Sequence, residues 1–84
     1  MATRYKGIWA VDESDVTELI LFRKVRWVVK GGTAGDECIL KDELGNVLFH
    51  SVADGANFVD SFELNRMARI TVDTLDSGEL YLYE

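Results

Sequence analysis

The segment at residues 70–84 reads ITVDTLDSGELYLYE, and its pattern decides the class of fold. Apolar and polar residues alternate on both sides of the turn-forming sequence LDSGE (75–79). Alternation with a period of two is typical of a β-strand that buries one of its faces. Gly78 can adopt the left-handed conformation that closes a bulged hairpin loop. We therefore predict a β-hairpin centred on Gly78.

The register of this hairpin predicts two faces of different character. Its expected cross-strand pairs are Leu75–Glu79, Asp73–Tyr81, Val72–Leu82 and Thr71–Tyr83. The core face then consists of Ile70, Val72, Leu80 and Leu82. The outer face is the candidate interface, and it consists of Met67, Arg69, Thr71, Asp73, Tyr81 and Tyr83. Large side chains with polar tips are typical of protein interfaces, but a solvated face chosen for its β-propensity stays an open alternative.

The rest of the chain repeats the same kind of pattern. Apolar runs predict strands near 4–11, 17–22, 24–30, 36–42, 46–53, 57–62, 65–74 and 79–84. Short glycine-containing polar clusters separate most of them, as in all-β domains. The pattern predicts an all-β fold, a small antiparallel β-sandwich or partly open barrel of about seven or eight strands, in a single domain spanning 1–84. Residues 14–23 could also form a short helix capped by Ser14 or Asp15, and we prefer a strand because β-branched and aromatic residues are frequent there.

A second hairpin is predicted around the sequence DELGN (42–46), with Gly45 in the turn. Its expected pairs are Asp42–Asn46, Leu40–Leu48, Ile39–Phe49 and Cys38–His50. The last pair suggests a Cys–His nucleophile. A buried structural cysteine beside a hydrogen-bonded histidine is the favoured interpretation, because neither residue lies where thiolates are made reactive.

Composition and charge exclude several classes of function. The 84 residues carry a net charge of −6, which argues against a nucleic-acid partner because phosphate binding needs clustered basic residues. The charge is uneven, since residues 1–30 hold six basic and four acidic side chains and the remainder holds three and eleven. Such asymmetry permits head-to-tail stacking of copies, although two simply solvated faces are the favoured interpretation. No segment approaches the roughly 20 apolar residues of a membrane span, so we expect no membrane partner and a soluble protein made in the cytoplasm.

No catalytic, metal or cofactor site is expected. A single cysteine, Cys38, excludes an internal disulfide and a cysteine-based zinc site. The acidic turns could in principle bind calcium, but aspartate beside glycine is ordinary turn chemistry. Exposed aromatic residues could build a carbohydrate platform, although in a small β-domain they more often serve the core and interfaces.

Three segments resemble a known group of proteins. GDECILKDELGNVLFH (35–50), ADGAN (53–57) and TLDSGELYLY (74–83) are similar to a pattern in small β-sandwich proteins encoded by tailed bacteriophages and prophages, often near virion structural genes. The resemblance covers roughly residues 24–83 and consists of turn motifs. It implies a small β-sandwich and a structural role in the virus particle, and it implies no catalytic residue.

These observations together predict a non-enzymatic virion structural or decoration protein. We expect it to form homo-oligomers or to dock on a capsid or tail component, in the host cytoplasm at first and then in the virion. A small carbohydrate- or protein-binding module that uses exposed aromatic residues is the alternative. An enzyme relying on Cys38 and His50 is the third possibility.

Overall fold

The computed structural model describes residues 3–84 and confirms the all-β class. Its seven strands are β1 (Thr3–Tyr5), β2 (Ile8–Val11), β3 (Val16–Lys30), β4 (Glu37–Lys41), β5 (Val47–Val52), β6 (Asn57–Leu75) and β7 (Glu79–Tyr83). All pairings are antiparallel, and the strand order is β1-β2-β7-β3-β6-β4-β5. Within residues 3–84 no helix is long and apolar enough to cross a membrane.

Two long strands organise this sheet into two layers. β3 has 15 residues, β6 has 19, and they pair along most of their length. In the first layer, residues 24–30 of β3 and 57–63 of β6 adjoin β7, β2 and β1. In the second layer, residues 16–22 of β3 and 66–75 of β6 adjoin β4 and β5. The inner side chains of both layers form one hydrophobic cluster, which is the arrangement of a small sandwich or partly open barrel.

The long strands differ from the predicted boundaries. The runs 17–22 and 24–30 form one strand, and so do 57–62 and 65–74, whereas 4–11 divides into β1 and β2. Between Phe22 and Lys24 the register of the β3–β6 pair shifts, and β6 contributes an extra residue there. A bulge bends a strand without ending it, so each long strand passes from one layer to the other. Residues 16–23 are strand, and the helical alternative is therefore wrong.

The predicted pairing of the last two strands is wrong. β7 does not pair with β6, because β3 lies between them, with Leu82 opposite Val25. On its other edge β7 pairs with β2, where Leu82 lies opposite Trp9. The turn is tied to β4 instead: the Asp76 amide donates to the Glu37 carbonyl at 3.0 Å, and the Asp76 carboxylate accepts from the Glu37 amide at 2.8 Å. These hydrogen bonds hold the turn against β4, and β7 does not run back along β6.

The inward-facing residues of this segment were nevertheless predicted correctly. Ile70, Val72, Leu80 and Leu82 are all buried in the core. Alternation along a strand determines which side chains point inward, whichever strand lies alongside. The hydrophobic pattern therefore identified the core without identifying the neighbours.

The hairpin around Gly45 forms, but with a shifted register. The Asp42 amide donates to the Asn46 carbonyl at 3.0 Å, as predicted, and Gly45 has φ of +84°. A bulge between Lys41 and Leu40 then moves every later pair by one residue. The observed pairs are Leu40–Phe49, Ile39–His50 and Cys38–Ser51, so the predicted pairs Leu40–Leu48, Ile39–Phe49 and Cys38–His50 are wrong. The bulge brings both Leu40 and Phe49 into the core.

The carboxylate of Asp42 holds the same turn together. It is buried and accepts the amides of Leu44 and Asn46, each at 2.9 Å. Burial alone would raise the pKa of this carboxyl, but the hydrogen bonds from Asn46 and Leu44 and the nearby charge of Arg66 lower its pKa below the usual value. Asp42 is therefore ionised at neutral pH and works as a turn-stabilising acceptor.

Candidate interaction surfaces

Cys38 and His50 do not form a catalytic pair. Cys38 is completely buried opposite Ser51, whereas His50 is half exposed opposite Ile39. The imidazole Nε2 of His50 lies 3.4 Å from a carboxylate oxygen of Glu37. Burial, with a smaller contribution from the negative charge of Asp60, raises the pKa of the Cys38 thiol to about 12. The thiolate needed for nucleophilic attack is therefore scarce at neutral pH.

Native protein is expected to leave Cys38 unmodified when Ellman's reagent is added at pH 8. Both the burial of the sulfur and the raised pKa of the thiol suppress the reaction. The matched control is the same protein in guanidinium chloride, which should release one equivalent of thionitrobenzoate per chain. Rapid reaction of the folded protein would contradict a structural role for Cys38 and would favour an enzymatic role for it.

The acidic turns act as backbone acceptors. Within residues 3–84, no group of three or more histidine, cysteine, aspartate or glutamate residues is arranged to hold a metal ion. A carboxylate oxygen of Asp36 accepts the Thr33 amide at 3.0 Å, and one of Glu13 accepts the Leu75 amide at 3.2 Å. The Asp36 contact closes a turn, as aspartate beside glycine commonly does, whereas the Glu13 contact joins the segment before β3 to the end of β6.

The six residues of the candidate interface lie on two different surfaces. Tyr81 and Tyr83 belong to the outer face of the first layer, opposite Arg26 and Lys24 of β3. Met67, Arg69, Thr71 and Asp73 belong to the part of β6 that lies in the second layer. The expected contacts of Tyr81 with Asp73 and of Tyr83 with Thr71 do not form, because β3 separates the two strands. Burial of these six residues against a partner stays a prediction.

The outer face of the first layer carries three tyrosines in neighbouring strands. Tyr5 lies opposite Ile8 of β2, and Ile8 lies opposite Tyr83 of β7. The Lys24 ammonium is 5.8 Å from the centroid of the Tyr83 ring, within the range of a cation–π contact. We call the surface formed by Tyr5, Tyr81, Tyr83, Lys24 and Arg26 the tyrosine face.

A shallow groove crosses one end of the tyrosine face. Its volume is about 430 Å³, and its lining residues are Arg26, Val28, Lys30, Gly78, Glu79 and Tyr81. The Tyr81 hydroxyl donates to Glu79, and this hydrogen bond, with partial burial, raises the pKa of Tyr81. The groove therefore has two basic side chains at its rim and one carboxylate that is already hydrogen-bonded.

A compact apolar patch lies on the outer face of the second layer. Its members are Leu19, Leu21 and Met67, which are 52%, 42% and 61% exposed. Leu21 and Met67 are directly opposite each other on β3 and β6. We call these three residues the leucine–methionine patch. Met67 belongs to the predicted interface, whereas the two leucines do not, although the run ELILFR (18–23) is apolar on both faces of a strand and signals such a patch.

Acidic side chains gather where several connecting segments meet. Backbone hydrogen bonds from Gly32 to Ala56 and from Gly35 to Ala53 join residues 31–36 to the turn at 53–56. Residues 31–37, 53–56 and 76–78 contain no lysine or arginine. We call the group of carboxylates at this location the acidic end, and its members are Glu13, Asp36, Glu37, Asp54 and Asp76.

Comparison of the chain with models of protein families, with curated proteins and with solved structures found no match.

Proposed function

We propose that this protein is a non-enzymatic structural or decoration protein of a bacteriophage or prophage particle. It works by self-association or by docking on a capsid or tail component. Under this proposal it is made in the host cytoplasm and then becomes part of the virion. It takes no cofactor, and its partners are copies of itself or other virion proteins.

The observation that carries this proposal is the leucine–methionine patch. Single exposed apolar residues are common on protein surfaces, but adjacent ones on a flat sheet face are typical of interaction sites. Full burial of one leucine or methionine side chain contributes about 1.5–3 kcal/mol. Two cross-strand neighbours, Leu21 and Met67, with Leu19 beside them therefore supply the apolar centre of a small interface.

The viral part of the proposal has a separate source of support. It rests on the resemblance of residues 35–50, 53–57 and 74–83 to phage-encoded β-sandwich proteins. The small size of the domain agrees with a repeated building block, because a chain of 84 residues gains additional burial when copies associate.

Sedimentation equilibrium over a range of protein concentrations tests this proposal. We expect the wild-type chain to associate, and the double variant Leu21→Lys, Met67→Lys to weaken that association roughly 100-fold, since two apolar contacts are replaced by charges. The matched control is Leu44→Lys, because Leu44 is 80% exposed at the tip of the β4–β5 turn, outside the patch.

Two results would count against it. One is a wild-type protein that stays monomeric at high concentration and does not co-sediment with phage capsid or tail proteins. The other is equal weakening by the patch variant and by Leu44→Lys, which would remove the patch as the site of association.

A carbohydrate- or protein-binding module is the second candidate function. The specific observation in its favour is the presence of Tyr5, Tyr81 and Tyr83 on neighbouring strands of one face. Tyrosine rings offer a rigid apolar surface with a polar tip, which suits sugar rings and partner side chains alike. Binding on a glycan array that is lost in Tyr81→Ala or Tyr83→Ala would favour this function over assembly.

A further inference from the structure

We propose that the groove beside Arg26 and Lys30 on the tyrosine face receives the acidic end of a second copy of this chain. The inference rests on the proposed function, because it names the partner and the two surfaces of self-association. It differs from the leucine–methionine patch in using opposite charge rather than apolar contact.

The tyrosine face has the opposite charge to the rest of the molecule. The charged residues on this face and at the strand positions next to it are Lys24, Arg26 and Lys30 of β3, Glu63 of β6 and Glu79 of β7. These five residues have a net charge of +1. Because the whole chain has a net charge of −6, all the other residues together have a net charge of −7. A positive face on an acidic protein finds its complement on another copy of the same protein.

The groove suits a carboxylate. A guanidinium such as that of Arg26 presents a planar fork that donates hydrogen bonds to both oxygens of a carboxylate, and Lys30 adds a second positive charge to the groove lining. Glu79 already accepts the Tyr81 hydroxyl. The tyrosine rings beside the groove then supply contact area around the ion pair.

The acidic end supplies two exposed carboxylates, those of Asp54 and Glu37, and the Glu37 carboxylate also lies beside the imidazole of His50. Asp54 is exposed in the turn after β5, and the side chain of Glu37 is 43% exposed. Glu37 lies opposite Val52, which is close to that turn. No lysine or arginine occurs in the three segments that form this end, so an approaching positive face meets no like charge from them.

This contact pairs two patches that adjoin in the same molecule, since Gly78 lines the groove and belongs to one segment of the acidic end. Reciprocal contacts between two copies give a two-fold dimer, and a one-way contact repeated from copy to copy gives a ring or an open filament. Both copies carry a net charge of −6, so the attraction is local and orients the approach.

Charge-swap variants test the inference by sedimentation velocity in 0.15 M NaCl. The face variant is Arg26→Glu with Lys30→Glu, and the end variant is Glu37→Lys with Asp54→Lys. We expect each variant alone to associate roughly 100-fold more weakly than the wild type, because like charges then meet. An equimolar mixture of the two should recover assembly, since both contacts between unlike copies are again complementary. The recovery also shows that both variants are folded.

The matched control is Arg23→Glu with Leu44→Glu and Val47→Glu, which changes the net charge by the same amount as the face variant at exposed positions outside the groove and the leucine–methionine patch. The control is expected to assemble like the wild type. Assembly kept in the face variant but lost in the double variant Leu21→Lys, Met67→Lys would assign the interface to the leucine–methionine patch, which overturns this inference and leaves the proposed function intact.

Two other results would also overturn the inference. They are unchanged association of the charge variants and weakening of both without recovery in the mixture. A wild-type protein that is monomeric throughout would overturn it as well and would remove self-association from the proposed function. Docking on a capsid or tail component would then be decided by co-sedimentation alone.

Discussion

Replacing Trp27 by alanine is expected to lower the free energy of unfolding by about 3–5 kcal/mol, the usual range for a buried tryptophan. Trp27 is completely buried, and its ring meets Phe58 edge-to-face with 5.7 Å between the centroids. Its indole N–H also donates to the Ser77 carbonyl at 2.8 Å. The substitution therefore opens a cavity and removes the donor that ties the turn before β7 to β3. In a small domain such a loss approaches the whole stability.

Urea denaturation followed by far-UV circular dichroism measures this effect, because Trp9 would complicate a fluorescence signal. Trp27→Phe is the informative control, since it keeps most of the ring volume but loses the hydrogen bond to Ser77. We expect Trp27→Phe to fall between the wild type and Trp27→Ala. A loss below about 1 kcal/mol for Trp27→Ala, the size typical of an average substitution, would contradict a central packing role.

Alanine at position 78 is expected to destabilise the protein more than alanine at position 45. Both glycines adopt the left-handed conformation, with φ of +81° at Gly78 and +84° at Gly45. A Cβ atom at position 78 would lie 2.3 Å from the Val28 carbonyl oxygen, whereas at position 45 nothing lies within 4 Å. We expect about 1–2 kcal/mol for Gly45→Ala from backbone strain and about 2–5 kcal/mol for Gly78→Ala, where overpacking adds to it.

The pair of variants separates two physical causes in one experiment. The backbone conformation is matched, so the difference between the two free energies of unfolding isolates the close approach of the turn to β3. Equal losses for Gly78→Ala and Gly45→Ala would show that the turn does not pack against Val28 as described. The comparison therefore tests the placement of β7 beside β3 directly.

Sequence reasoning predicted the class of fold because alternation is a local property. The inward residues Ile70, Val72, Leu80 and Leu82 follow from a period of two, which depends only on the strand that carries them. The neighbours of β7 depend on where the rest of the chain runs. A turn with glycine at its left-handed position suits a hairpin, but the hydrogen bonds between Asp76 and Glu37 direct the chain elsewhere, and these bonds join residues far apart in sequence.

The candidate site was only partly predictable for the same reason. Tyr81 and Tyr83 face outward as expected, but their companions are Lys24 and Arg26 of β3 rather than residues of β6. The shift that separates Cys38 from His50 comes from one bulge next to Leu40, and alternation around it gave no sign of an extra residue. The positive groove and the acidic end both depend on long-range pairing, so only the uneven distribution of charge along the chain hinted at them.

The position of β7 between β2 and β3 also affects how the chain reaches its native state. The pairs Trp27–Leu80 and Trp9–Leu82 join residues distant in sequence, and domains dominated by such contacts fold slowly, in roughly milliseconds to seconds. Until β7 docks, residues 24–28 of β3 present an open backbone edge beside apolar side chains. That edge is a template for pairing with another unfolded chain, so correct docking competes with aggregation. Refolding yield should therefore fall as protein concentration rises, and rapid dilution favours the native sheet.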